Sequence, residues 1–337
     1  MRGILFHYDK IVESKYVTEV KYMILNCMPV EILSREEADR LRELTGADIK
    51  DVDNIRDHVD ILDQVEAIIP PWRFKAEELA LMKNLKWVQA FSAGVNTYPL
   101  EDIRKRGILL TNSSGVHAPQ MTDHIMGMIL AFSRGLLPSI REQKEKKWSV
   151  DFSLSELTDK EMLIVGAGSI GKVLAKKAKA FDMKVIGLKR TVEELPHFDK
   201  VLPLEDLREA MKSADYVVIL APLTKDTRGL IGKEELALMK KDAVLVNLAR
   251  GPLVDEKELI LALQEGRIRG AGLDVFSKEP LPEESPLWDL DNVILTPHMG
   301  GFSDVSNERS LKLIAENIRR FQNGEELLNQ VDLSLGY

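Results

Sequence analysis

Arg250, Glu279 and His298 each stand just behind an apolar, strand-like run. Arg250 follows Val244-Leu-Val-Asn-Leu-Ala249, Glu279 lies in Leu273-Asp-Val-Phe-Ser-Lys-Glu-Pro280, and His298 follows Val293-Ile-Leu-Thr-Pro297. Singly, each is ordinary: a structural ion pair, a solvated turn before proline, a loop histidine. Arriving in turn at three strand ends, they form a set, because ligands of parallel α/β sheets bind outside the carboxyl ends of the strands. A guanidinium there can hold a carboxylate and stabilise charge growing on a carbonyl oxygen. Imidazole titrates near pH ~6.5, so it can give or take a proton around neutrality. A neighbouring carboxylate favours the imidazolium and orients the ring.

Upstream lies Gly166-Ala-Gly168-Ser-Ile-Gly171, between the apolar run Glu161–Val165 and a helical pattern from Ile170 to Phe181. Strand, glycine turn and helix together form a dinucleotide-binding signature. Gly166 allows the tight turn, Gly168 lets the backbone approach a pyrophosphate, and Gly171 lets the helix pack close to the sheet. Free N–H groups and the positive end of the helix dipole then bind the phosphates.

The next strand, Lys184–Leu188, predicts the choice of cofactor. A site for NAD carries Asp or Glu after that strand, to bind the ribose hydroxyls. Here Lys189, Arg190 and Thr191 follow instead. Two cations and a hydroxyl attract a 2′-phosphate that a carboxylate would repel. NADP(H) is therefore the expected cofactor, with NAD(H) possible.

With these motifs in view, the chain closely resembles the D-isomer-specific 2-hydroxyacid dehydrogenases, in their glyoxylate/hydroxypyruvate reductase-like branch. The match runs from about Ser92 to Gly301 and rests on Asn247-Leu-Ala-Arg-Gly251, Gly272-Leu-Asp-Val-Phe276, Glu279-Pro-Leu281, Thr296-Pro-His298 with Gly300-Gly301, and Ala221-Pro-Leu-Thr224 with Thr227. The resemblance implies Arg250 as the substrate-binding residue, His298 as proton donor and Glu279 as its partner. It implies cofactor contacts at Gly166, Gly168, Ser169, Ile170 and Gly171, at Ala221, Pro222 and Thr227, and at Leu248, Ala249, Arg250, His298 and Gly300. Asp274 would accept a hydrogen bond from the nicotinamide amide; the plainer reading of it is a turn cap. The implied reaction is reversible reduction of a small 2-keto acid, such as glyoxylate or hydroxypyruvate, to the D-2-hydroxy acid. A different class of reading is a dinucleotide-sensing, corepressor-like binding protein without turnover.

Substrate contacts are expected in Phe91-Ser-Ala-Gly-Val-Asn96, which resembles the family's carboxylate loop. Backbone N–H groups at Ala93 and Gly94 can form an anion-binding nest beside Arg250. The family often carries Asp where Asn96 stands, which weakens any claim for that side chain. Trp72 or Phe74, in Ile69-Pro-Pro-Trp-Arg-Phe74, could roof the pocket, with Arg73 in solvent; core packing is the rival reading for the aromatics. His117, Asp123 and His124 superficially suggest a metal site, but their spacing matches no zinc pattern and no metal is expected.

These residues need a scaffold. Strand-like runs at Tyr22–Cys27, Ala67–Ile69, Trp87–Phe91 and Ile108–Thr111 form one set. Met162–Val165, Lys184–Leu188, Tyr216–Leu220, Ala243–Asn247, Gly270–Asp274 and Val293–Thr296 form a second. Helical patterns intervene at Ser34–Thr45, whose Ser and Glu three residues on make a capping box, and at Asp57–Val65 and Lys75–Lys83. A long helix, Pro119–Leu136, joins the sets, and a last helix, Asp304–Asn323, crosses back. The fold class is α/β: two Rossmann-like or flavodoxin-like domains with parallel sheets and a cleft between them. Residues 1–114 with 303–337 would be the substrate domain and 115–302 the dinucleotide-binding Rossmann domain.

Composition fits. A chain of 337 residues suits two domains, and 45% apolar content comes with no run long enough to cross a membrane. The net charge of −8 disfavours a nucleic-acid partner. Cys27 is alone, so no internal disulfide is expected. A signal-peptide pattern is not seen in Met1–Lys21, a stretch to which no function is given, and a cytoplasmic enzyme is expected. The chain ends soon after the return helix, so no appended regulatory domain is expected. The Met-rich face of Met121–Leu130 reads as core or subunit interface. The resemblance points to a homodimer built through cofactor-domain elements.

Overall fold

The computed structural model describes residues 22–335; the expectations for Met1–Lys21 lie outside them. Five strands form the first sheet: β1 (Met23–Asn26), β2 (Asp48–Asp51), β3 (Val65–Ile69), β4 (Trp87–Gln89) and β5 (Leu109–Thr111). All pair in parallel, in the order β2-β1-β3-β4-β5. This is the flavodoxin-like order. Helices α1 (Arg35–Thr45), α2 (Ala76–Leu81) and α3 (Leu100–Lys105) lie between them. Ser34 caps α1 as expected: its side chain accepts from Glu37 N, and the Glu37 carboxylate accepts from Ser34 N at 2.8 Å.

The connection is α4 (Ala118–Ser133) followed by α5 (Leu136–Lys144). The single long helix expected over Pro119–Leu136 is broken at Gly135, whose φ of +63° turns the chain out of the helix. Seven strands follow, β6 (Glu161–Val165), β7 (Lys184–Leu188), β8 (Lys200–Leu202), β9 (Tyr216–Ile219), β10 (Val244–Asn247), β11 (Gly270–Leu273) and β12 (Val293–Leu295). They form a parallel sheet ordered β12-β11-β10-β9-β6-β7-β8. That is the doubly wound Rossmann order with a seventh strand beyond the sixth, and the order reverses between β6 and β9. Helices α6 (Ser169–Lys179), α7 (Leu207–Ser213), α8 (Lys233–Leu238) and α9 (Glu256–Gln264) serve this sheet, and α10 (Ser306–Asn323) closes the chain's helices.

Each sheet is covered on both faces by apolar side chains. Around the second, Leu163, Val217 and Leu245 pack on one side while Ile164, Val218 and Val246 pack on the other. Met126 and Met128 of α4 are buried in that second cluster, so the Met-rich face is core. Helix α10 crosses back as expected: Leu311, Ile314 and Ile318 bury against Ile24, Trp87 and Phe91 of the first sheet. Asn317 anchors it, donating to Gln89 Oε1 at 2.9 Å in a buried polar chain that continues through Thr111 to Trp87 Nε1. Cys27 is buried immediately after β1, and burial pushes its thiol well above the ordinary range.

Two elements depart from the sequence pattern. The helix expected over Asp57–Val65 is instead two short 3-10 turns, Ile55–His58 and Leu62–Gln64, and Val65 already opens β3. Apolar spacing there resembles a helix, yet the stretch is a few residues long and Val59 is exposed, so no continuous apolar face rewards helix formation. Strands β2 and β8 escape notice because both are sheet edges of three or four residues carrying charged side chains.

Candidate active site

The glycine turn sits at the reversal point of the second sheet. Gly166 has φ +112°, and a Cβ there would lie 2.6 Å from Ala221 N and Leu220 C, at the end of β9. A Cβ at Gly171 would meet Gly166 O at 2.6 Å, so α6 packs tightly under the turn, whereas Gly168 faces open space. Among the described residues, no acceptor meets the N–H groups of Gly168, Ser169 or Ile170. Strand β9 continues into Ala221-Pro222, where Thr227 Oγ1 donates to Pro222 O at 2.6 Å and receives Thr224 N at 2.8 Å. This cradle fits a pyrophosphate: unpaired donors at a helix N-terminus, with open space at Gly168.

Strands β10, β11 and β12 are neighbours, and the chemistry-bearing residues follow them in order. His298 Nδ1 lies 2.7 Å from Glu279 Oε2, while Glu279 Oε1 accepts from Phe276 N at 3.0 Å. The carboxylate is thus fixed at both oxygens and sets the imidazole so that Nε2 is the free end. The His298 side chain is about half exposed, as a group that must reach an incoming molecule needs to be.

Arg250 comes from the end of β10 and meets the other sheet's loop. Its Nη1 donates to Ala249 O at 2.6 Å and its Nε to Asn96 Oδ1 at 3.4 Å. A Cβ at Gly94 would stand 2.2 Å from Arg250 Nη2, so any other residue there would displace the guanidinium. Carbonyls of Ser92, Ala93 and Gly94 accept from Ser113 N, Asn112 Nδ2 and Ser92 Oγ. Among the described residues, the N–H groups of Ala93 and Gly94 find no acceptor. Burial pushes the Arg250 guanidinium below its ordinary value, with the Glu279 charge opposing. Arginine titrates so high that it remains a cation. Arg250 thus meets the Gly94–Asn96 loop and feels the charge of Glu279, the carboxylate that backs His298.

A sequence profile of the D-isomer-specific 2-hydroxyacid dehydrogenase NAD-binding domain matches residues 126–300. The chain belongs to the D-isomer-specific 2-hydroxyacid dehydrogenase family. It is 36% identical to a glyoxylate reductase of Pyrococcus furiosus over 86% of this chain and 85% of that protein. It is 37% identical to a D-3-phosphoglycerate dehydrogenase of Methanocaldococcus jannaschii over 74% of this chain, but spans only 48% of that longer protein. Among solved structures, a D-isomer-specific 2-hydroxyacid dehydrogenase from Xanthobacter autotrophicus, in complex with NADPH and MES, aligns with TM-score 0.83 at 29% identity, covering 94% of this chain and all of that one. The protein is accordingly an oxidoreductase with a nicotinamide dinucleotide site.

In this dehydrogenase the turn carrying His298 has φ +53° at that residue, a conformation that L side chains seldom adopt, and Asp274 holds it. Asp274 is buried; Oδ1 accepts from Thr296 Oγ1 at 2.5 Å and Met299 N at 2.9 Å, and Oδ2 from Gly300 N at 2.9 Å. The turn-cap reading of Asp274 is thus what is seen, using three of about four acceptor positions on a carboxylate. A Cβ at Gly300 would lie 2.8 Å from Leu248 Cδ2, so this turn packs on the Leu248-Ala249 segment.

The remaining expected residues take the following places. Phe74 is core, edge-on to Tyr98, and cannot roof a pocket. Trp72 is exposed, its carbonyl accepting from Thr97 Oγ1 beside the Ala93–Asn96 loop. Asp123 pairs with Lys177 and His124 reaches Thr296 Oγ1 at 3.1 Å; no metal-binding cluster exists among the described residues. Beyond β7, Lys189 forms an ion pair with Glu193, whose carboxyl is held below its usual range chiefly by Lys189, with the Lys172 charge adding. Arg190 and Thr191 are exposed beside it. Asn96 is the residue that sequence reasoning undervalued. Its departure from the family's Asp was the available signal, and only the fold shows it on Arg250. Among the described residues, no helix is long and apolar enough to cross a membrane.

Proposed function

We propose that the protein reduces a small 2-keto acid of the glyoxylate or hydroxypyruvate class to the D-2-hydroxy acid, reversibly, with NADPH preferred over NADH. The convergence of Arg250, the Gly94 loop and the Glu279-backed His298 carries this reading. When bound, the reduced nicotinamide supplies a hydride. Arg250 and the Ala93 and Gly94 N–H groups hold the substrate carboxylate, and Arg250 stabilises the negative charge that grows on the carbonyl oxygen. His298 delivers a proton from Nε2 to that oxygen, and Glu279 stabilises the imidazolium before transfer. In oxidation the same nitrogen takes the proton. We assign substrate selection to residues 1–114 with 303–337, and cofactor binding to 115–302. The unused acceptor position of Asp274 and the exposed Trp72 are assigned to the nicotinamide amide and the substrate entrance. Closure of the cleft between the units would exclude water.

Support for NADPH comes from the end of β7. Lys189, Arg190 and Thr191 stand in the region where the adenosine ribose of such a fold lies, and Lys189 pairs there with Glu193, a carboxylate that an incoming 2′-phosphate must displace. The structural relative with bound NADPH agrees. The test is a steady-state screen of glyoxylate, hydroxypyruvate, pyruvate and longer keto acids with both nucleotides. We expect short keto acids to turn over, with kcat/KM for NADPH exceeding that for NADH by about tenfold or more, a difference of ~1.4 kcal/mol. Equal efficiencies, or a preference for NADH, refute the cofactor assignment. Tight NADPH binding with no turnover across the panel would favour the corepressor-like reading.

The proposed partner is a second copy of the chain. Leu136 and Ile140 of α5, and Trp148, Val150 and Leu154 after it, are exposed apolar side chains on the second unit, Trp148 almost fully so. A grouping of this kind marks an interaction surface. Sedimentation velocity at micromolar concentration is expected to give a dimer; a monomer would overturn the assignment.

A further inference from the structure

The chain passes between the two units twice, at residues 112–117 entering α4 and at 299–305 leading into α10. The two crossings lie side by side. His117 Nδ1 is 3.1 Å from Gly301 O, and Gln120 Nε2 donates to the same carbonyl at 2.8 Å. On its other side, Gln120 Oε1 accepts from Arg309 Nη1 at 2.8 Å. Gln120 belongs to the first turn of α4, which packs on the second unit through Ile125, Met128 and Ile129. Arg309 belongs to the first turn of α10, which packs on the first unit. One amide therefore has its N–H on the loop that bears His298, three residues upstream of Gly301, and its oxygen on a helix of the opposite unit.

We propose that Gln120 is a positioning residue that couples the relative placement of the two units to the seating of the His298 turn. The inference rests on the reduction chemistry proposed above. Asp274 pins the turn at Met299 and Gly300 from within the second unit, so it does not respond to the first. Gln120 adds the third pin, at Gly301, and this one is tied to Arg309. When α10 moves with the first unit, Arg309 draws on the Gln120 carbonyl, and the amide carries that shift to Gly301. His117 Nδ1 faces the same carbonyl, and burial, opposed by the Gly301 hydrogen bond and joined by the Arg309 charge, holds its pKa below the usual value. Gly301 O is thereby met by His117 and Gln120 at the start of α4; Gln120 makes the short bond to Arg309, whose Nη1 also lies 3.5 Å from Val116 O.

The test compares Gln120→Leu, Gln120→Glu, Arg309→Met and the double variant Gln120→Leu/Arg309→Met. Gln120→Glu keeps the acceptor for Arg309 and removes the N–H to Gly301. In each single variant we expect kcat to fall roughly 10- to 100-fold, the scale set by misplacing a reacting group by about an ångström. KM for the keto acid and Kd for NADPH should stay within about twofold, since neither binding locus is touched. The primary isotope effect with deuterated NADPH should rise as the chemical step slows. The double variant should be no worse than the worse single one, because both arms belong to one linkage. Amide exchange at 299–301 in the NADPH complex should be faster in all variants than in wild type, a readout independent of turnover. Wild-type exchange at 299–301 in Gln120→Leu, or losses that multiply in the double variant, would overturn the coupling. Absence of keto-acid turnover in the wild type would instead strike the proposed reaction, leaving the exchange result to decide the linkage.

Discussion

His298→Ala is expected to lower kcat by about 10²- to 10⁴-fold, the range supplied by a positioned general acid, or roughly 3–5 kcal/mol of barrier. NADPH affinity, read by fluorescence titration, should stay within about twofold, because the glycine cradle at Gly166–Gly171 and the Ala221 turn stand on other strands. The fold should tolerate the change. His298 lies in a turn secured by Asp274, and its side chain contacts only Glu279 among the described hydrogen-bonding partners. Glu279 loses one partner but keeps Phe276 N. Wild-type turnover in His298→Ala would remove the proton-transfer role outright. A comparable loss of NADPH affinity would point to a binding role instead.

The second large effect is expected at Arg250. Arg250→Met should raise KM for the keto acid and cut kcat by about 10²–10³, as removal of one charge-stabilising donor group does. Both parameters move because the guanidinium holds the ground-state carboxylate and also meets the oxygen on which charge develops. Lysine should rescue poorly: a compact ammonium cannot reproduce the planar fork, which already spends Nη1 on Ala249 O and Nε on Asn96. Gly94→Ala should mimic much of the loss without altering the arginine, because the new Cβ would sit 2.2 Å from Nη2 and push the guanidinium aside. Kinetics of the three variants on one keto acid checks this. Unchanged kcat/KM in Arg250→Met would exclude the assignment.

The legibility of the site from sequence was uneven, for physical reasons. The glycine turn could be read with the purpose of each glycine, because φ +112° at Gly166 and the close packing at Gly171 exclude side chains outright. Buried parallel strands β6, β9 and β10 were equally plain as continuous apolar runs. Short edge strands carrying charge, β2 and β8, were not, since pairing on one side alone leaves little hydrophobic signature. Asp274 is the instructive case. The resemblance implies a nicotinamide contact, and the structure adds what no local pattern showed, a carboxylate capping the turn that presents His298. Asn96 was discounted for departing from the family's pattern, yet its side chain accepts a hydrogen bond from Arg250.

The sequence by itself determined the parallel two-sheet architecture, the dinucleotide turn and the order in which Arg250, Glu279 and His298 leave their strands. These follow from local stereochemistry and apolar periodicity, which act over a few neighbouring residues. Tertiary structure alone decided which groups meet: Gly94 and Asn96 against Arg250, Gln120 between Gly301 and Arg309, and Phe74 in the core and not over a pocket. Such pairings join residues up to 189 positions apart. They depend on how two separately formed sheets pack and on where α10 returns, and no local pattern encodes that.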